Sequence, residues 1–127
     1  MRVRVLSGIL ALVLLLPGAA VGEGSQLAGE SLRATVAGKT IHLSTPVGTV
    51  PISYRPNGTM RGHSGTLAAY IGAETDHGIW WIARDQLCQR WQTWLEGKAY
   101  CYAMRREGNI VHWSRNDGRT GTATIAH

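Results

Sequence analysis

The sequence contains no phenylalanine, only two cysteines and four prolines, and only 17% charged residues. Each shortage excludes something. Low charge beside 44% hydrophobic residues excludes a disordered polyelectrolyte or a charged tail. The 16 glycines follow no three-residue period and no heptads run through the chain, which excludes collagen-like and coiled-coil assemblies. Without phenylalanine, the large rings are 5 Trp and 4 Tyr, all carrying a polar handle. A chain of 127 residues has room for one domain rather than two.

One long uncharged run, Val5–Leu16, follows Arg2 and Arg4 and breaks at Pro17-Gly18. It is short for a bilayer core of about 30 Å. Small residues follow, and Ala20-Val21-Gly22 fits a cleavage signal. Residues 1–22 therefore read as a secretory signal peptide, cut after Gly22 with Ala20 as the alternative, and 23–127 as a single β-rich domain. With no Cys near the cut, no lipid anchor or other stable membrane anchor is expected. The expected location is periplasmic or secreted. Removing Arg2 and Arg4 leaves 11 basic against 8 acidic residues, a formal charge of +3. The basic residues are scattered, with Arg105-Arg106 the only adjacent pair, so nucleic acid is not an expected partner.

In an exported chain, Cys88 and Cys101 read as one structural disulfide. Their spacing is neither a Cys-x-x-Cys redox motif nor a metal-ligand cluster.

Leu27–Ala37 has helical spacing, with Leu32 and Val36 four apart and Gly38 at the place of a C-terminal glycine. From Lys39 the punctuation changes to short runs separated by Gly, Pro, Asn and Asp, the form of an antiparallel meander. Strands are expected near Lys39–Thr45, Val50–Arg55, Thr59–Ser64, Thr66–Gly72, Gly78–Arg84, Leu87–Gln92, Lys98–Arg106, Asn109–Arg115 and Arg119–Ala126. Leu67–Ile71 is also compatible with a helix. Glu23–Gln26 reads as a flexible terminus. Two-residue loops at Asp85-Gln86 and Glu107-Gly108 would set Trp80 opposite Trp91, Ile82 opposite Gln89, Met104 opposite Val111 and Tyr102 opposite Trp113. Cys88 would lie opposite Cys101. One face then collects Trp80, Ile82, Leu87, Trp91, Tyr100, Tyr102, Met104, Val111, Trp113, Gly121, Ala123 and Ile125. The expected fold is mainly β: a small antiparallel meander barrel, or a two-layer sandwich, with a short N-terminal helix and one disulfide.

No catalytic constellation emerges. Asp76-His77 is an isolated neighbour pair, and His63-Ser64 would point to opposite faces of a strand. Asp76, His77 and Asp85 are the groups that an unrecognised enzyme would use. Met60 and His63 suit copper by chemistry but not by spacing. No metal and no cofactor is expected. Asn57-Gly58-Thr59 is a glycosylation acceptor pattern that also fits a hairpin loop. Trp80-Trp81 must point to opposite faces of one strand. Trp81, Trp94 and Arg90 are the candidate ligand-binding residues, with Trp81 and Trp94 as an aromatic patch at one barrel end.

The order Glu30-x-Leu32, Gly38-Lys39-Thr40, Pro56-Asn57-Gly58 with Gly62, Gly78-x-Trp80, Leu87-Cys88-x-x-Trp91, Cys101-Tyr102, Asp117-Gly118 and Gly121-Thr122 resembles a family of small secreted proteobacterial proteins of unknown function. Their theme is a Cys-x-x-Trp…Cys-Tyr strand pair. The resemblance spans about Leu27 to Ile125, departs at Trp81 and across Thr66–His77, and implies a bacterial periplasmic or secreted protein. It carries no activity. The functional expectation is a non-enzymatic binding or interaction module of the cell envelope, monomeric, whose partner is an envelope protein, a glycan or a small apolar ligand. The alternatives are a periplasmic protease inhibitor and an enzyme of unrecognised type.

Overall fold

The computed structural model describes residues 25–126, so residues 1–22, expected to be a signal peptide, lie outside the described residues. Eight strands wind up and down in chain order: β2 (Lys39–Thr45), β3 (Gly48–Tyr54), β4 (Thr59–His63), β5 (Thr75–Ala83), β6 (Gln86–Trp91), β7 (Ala99–Glu107), β8 (Ile110–Arg115) and β9 (Thr120–Ala126). Every neighbouring pair is antiparallel, and β9 returns to β2, so the sheet closes as a barrel. Closure removes the free edges that an open meander would leave. A further strand, β1 (Ser25–Gln26), lies against β7.

Alternation fills the inside. Ile41, Val50, Ile52, Tyr54, Met60, Trp80, Leu87, Trp91, Met104, Val111, Ala123 and Ile125 are buried, at every second position of their strands. The meander puts the β3–β4, β5–β6 and β7–β8 turns at one end and the other four connections at the opposite end.

The first end is closed by helix α1 (Gly29–Val36), which drives Leu32 and Val36 fully out of solvent. Each contact follows from the helix's own chemistry. The Gly29 N–H, one of its unpaired N-terminal donors, donates to Asp85 Oδ1 in the β5–β6 turn at 2.9 Å. Arg33 lies 5.0 Å over the Trp80 ring and donates to the Pro56 carbonyl at 2.9 Å. Lys39 Nζ reaches back to the Ala34 carbonyl at 3.0 Å, where the helix dipole is negative.

The disulfide joins Cys88 and Cys101, which are direct partners on β6 and β7 with a Cα–Cα distance of 3.9 Å. No helix among the described residues is long and apolar enough to cross a membrane.

Three expectations need correction. Thr66–Gly72 is a 3₁₀ turn (Gly65–Leu67) and a short helix α2 (Ala68–Ile71), not a strand. Positive-φ glycines bracket it (Gly65 at 55°, Gly72 at 114°), and Leu67 is buried at the barrel end. Of the expected flexible terminus Glu23–Gln26, only Ser25–Gln26 is described, and it is not free: β6 pairs with β7 only over Ala99–Tyr102, and β1 takes the vacant edge at Arg105–Arg106. Both two-residue loops sit one step away from expectation. Ala83 pairs with Gln86 and Glu107 with Ile110, so Trp80 faces Gln89, Ile82 faces Leu87, Met104 faces Trp113 and Tyr102 faces Arg115. The partners shift by two residues, which leaves every side chain on its expected face.

Candidate functional site

An eight-stranded barrel has the width at which the interior either fills with side chains or holds one small ligand. Here the end away from α1 is hollow. A cavity of about 450 Å³ is lined by inward residues including Leu43, Val50, Leu87, Trp91, Met104 and Ala123. Its mouth is framed by Thr45 and Pro46, by Ile71 of α2, by Leu95 and by Arg119 and Thr120. These come from the β2–β3, β4–β5, β6–β7 and β8–β9 connections.

β9 brings two small residues, Gly121 and Ala123, to the cavity wall. Gly121 is forced by its cross-strand partner: a Cβ there would collide with the Trp113 indole. Gly62 does the same for another ring pair. Trp91 and Trp94 pack 4.6 Å apart, and a Cβ on Gly62 would run into both.

The mouth is built on the turn Trp94–Gly97. Asp76 points inward from β5, and its Oδ2 accepts the backbone N–H groups of Thr93 and Trp94, each at 2.8 Å. Burial alone would raise this carboxyl. The N–H groups of Trp94 and Thr93 prevail and hold it below its ordinary value. Trp94 Nε1 donates to the Ala73 carbonyl at 3.0 Å, tying β6–β7 to β4–β5. Leu95 and Glu96 then take left-handed backbone, φ 55° and 60°, a conformation that L-residues hold only under constraint.

Polar groups in the wall are few and mostly paired. Tyr54 Oη donates to Gln89 Oε1 at 3.0 Å, and burial raises the Tyr54 phenol well above its ordinary value. Arg115 lies 4.1 Å over the Tyr100 ring and grips Asp117 through two hydrogen bonds of 2.8 and 2.6 Å. That grip lowers the Asp117 carboxyl to about 2. Trp113 Nε1 is the exception: it is buried and has no hydrogen-bond partner among the described residues.

The expected candidates do not meet. Trp94 is buried in the barrel interior and lines the cavity. Trp81 alternates with the inward Trp80 and stands on the outer face, opposite Cys88. Arg90 is exposed on the same outer face, opposite Ile79. Asp76 and His77 point to opposite sides of β5, while Asp85 holds helix α1 at the far end. Met60 is in the core and His63 is exposed. Asn57 Oδ1 accepts the N–H and hydroxyl of Thr59, the side-chain turn of a hairpin loop. Among the described residues, no three His, Cys, Asp or Glu side chains gather to hold a metal ion.

Comparison with protein families, curated proteins and solved structures returns no match. Sequence reasoning missed the cavity itself. Its one signal in the sequence was the small inward residue Ala123 on the last strand, which gains that meaning only once the barrel is closed.

Proposed function

We propose that this protein is a binding protein of the bacterial cell envelope that takes one small, mainly apolar ligand inside its barrel. The carrying observation is the apolar cavity of about 450 Å³, closed by α1 and open at the other end. Ligand pockets are hollows of this size with apolar walls and few polar groups. The rim supports the reading. Val47, Tyr70 and Leu95 are 56%, 75% and 40% exposed, and all lie on connections at the open end. Exposed apolar groups around an apolar opening give a water-averse ligand a path in. The strained Leu95–Glu96 backbone sits at the same mouth. Export is supported by the leader-like residues 1–22, the disulfide and the resemblance to small secreted proteobacterial proteins.

The reading is of a binder rather than an enzyme, because the groups an enzyme would use have structural duties or face apart. Asp76 is held by two N–H groups and Asp85 by another.

A series of n-alkanols of increasing chain length, titrated against tryptophan fluorescence, tests this. Affinity should rise about fourfold per added CH₂, following about 0.8 kcal/mol each, then level off when the chain outgrows the cavity. Leu43→Trp, which fills the cavity wall, should abolish the response. A signal equal in Leu43→Trp, or no signal at any length, removes the proposal.

A further inference from the structure

The outer face of the barrel carries a second hollow, on the opposite side of the sheet from the apolar cavity. Thr59 and Arg61 on β4, His77 and Ile79 on β5, and Arg90 and Gln92 beyond them line a depression of about 570 Å³ with Arg55. The register brings these side chains together: Arg61 is the direct partner of His77, and Arg90 the direct partner of Ile79, one pleat along. Gly78 forms part of the floor, where a Cβ would collide with the Arg90 carbonyl. The lining holds three arginines and a histidine and no Asp or Glu.

This arrangement does nothing visible for the fold. Arg61 on β4 and Arg90 on β6 flank β5 on one face, and like charges gathered without an acidic partner repel rather than hold a sheet together. Several other cations have duties, Arg33 on Trp80 and Pro56, Arg106 on Gly108, Lys98 on Glu96 and Arg115 on Asp117, while the exposed Arg84 and Arg119 stand singly, outside this hollow. The side chains of Arg55, Arg61 and Arg90 are exposed and make no hydrogen bond or ion pair among the described residues. Three unspent guanidinium forks around one hollow are the donors that a multiply charged oxyanion accepts from, two parallel N–H bonds at a time.

We infer that this cleft binds a phosphate group, through the guanidinium groups of Arg55, Arg61 and Arg90 with His77 and Gln92 beside them. The ligand is a phosphorylated molecule, either free in solution or presented as a phospholipid headgroup. The inference is independent of the proposal for the interior, since the two sites share only Trp91 in their linings and lie on opposite faces of the sheet.

Calorimetric titration with tripolyphosphate at low salt, and co-sedimentation with phosphatidylglycerol vesicles against phosphatidylcholine vesicles, test it. Binding in the first arm identifies a soluble phosphate ligand. Binding to phosphatidylglycerol alone identifies a headgroup. In whichever arm binds, Arg61→Gln and Arg90→Gln should each weaken affinity about tenfold or more. Arg84→Gln, which removes the same charge from a residue outside the lining of the hollow, should change it less than twofold. These substitutions are on exposed side chains, and an unchanged melting temperature verifies the fold in each. Failure of both arms, or an equal loss in Arg84→Gln, overturns the inference.

Discussion

Gly62 and Gly121 show how much of this barrel depends on atoms that are missing. Each leaves room for indole rings, Trp91 and Trp94 in one case and Trp113 in the other. Gly62→Ala should therefore destabilise by about 1–3 kcal/mol, the usual effect of overpacking, read as a drop in chemical-denaturation midpoint at constant slope. Asp76 is the other exacting position, because one carboxylate oxygen serves two backbone donors at the mouth of the cavity. Its folded carboxyl lies below the ordinary value, so its contribution is present above the unfolded value of about 3.9 and is lost as pH falls through the lower folded value. Acid denaturation should begin there, and Asp76→Asn should flatten the acid limb of the stability–pH curve. An identical limb in the variant would separate Asp76 from acid stability. Both glycines and Asp76 stand out in the sequence only as turn-like or motif letters. The rings and amides that give them meaning come from 8 to 32 residues away in the chain, and only the fold brings them together.

Strands and their faces were legible because side-chain alternation has a period of two. The expected loops Asp85-Gln86 and Glu107-Gly108 were each displaced, yet the inward set of Trp80, Leu87, Trp91, Met104 and Val111 stands. The displacement at Arg84-Asp85 was hidden because both residues take positive φ, 52° and 58°, without being glycine. Asp85 is positioned there to receive the Gly29 N–H, a tertiary reason. Thr66–Gly72 misled because an apolar run of that length suits a strand and a helical turn equally. The disulfide was legible from the expectation of export and the count of two cysteines. It closes a 13-residue separation between adjacent strands, so the double variant Cys88→Ala/Cys101→Ala should lose about 3 kcal/mol. Calorimetry should show a melting temperature lower by roughly 10–20 °C. A loss under about 0.5 kcal/mol would mean that the β6–β7 pairing alone constrains the chain.

The assembled barrel has two ends of different character, and that difference belongs to no single element. Helix α1 fills one end with Leu32 and Val36 and fastens it through Arg33 and Asp85. The other end keeps a hollow between Leu43, Trp91, Met104 and Ala123. Composition announced the unusual tryptophan content, and an aromatic ligand patch was expected from Trp81 and Trp94. The barrel divides that pair, sending Trp94 inside and Trp81 outside, because inward and outward positions are fixed by where each falls in its strand or turn. A cavity is a difference between the volume a closed sheet encloses and the volume its inward side chains supply, and only the closed sheet defines the first.

The account rests on the hollow being a real apolar space that admits a guest. Crystals pressurised with xenon test this most directly, since apolar cavities take up xenon where polar, hydrated ones do not. Xenon density should appear inside the barrel among Leu43, Val50, Leu87 and Met104. An interior without xenon, packed by side chains or filled by ordered waters bridging Gln89 and Tyr54, would contradict it.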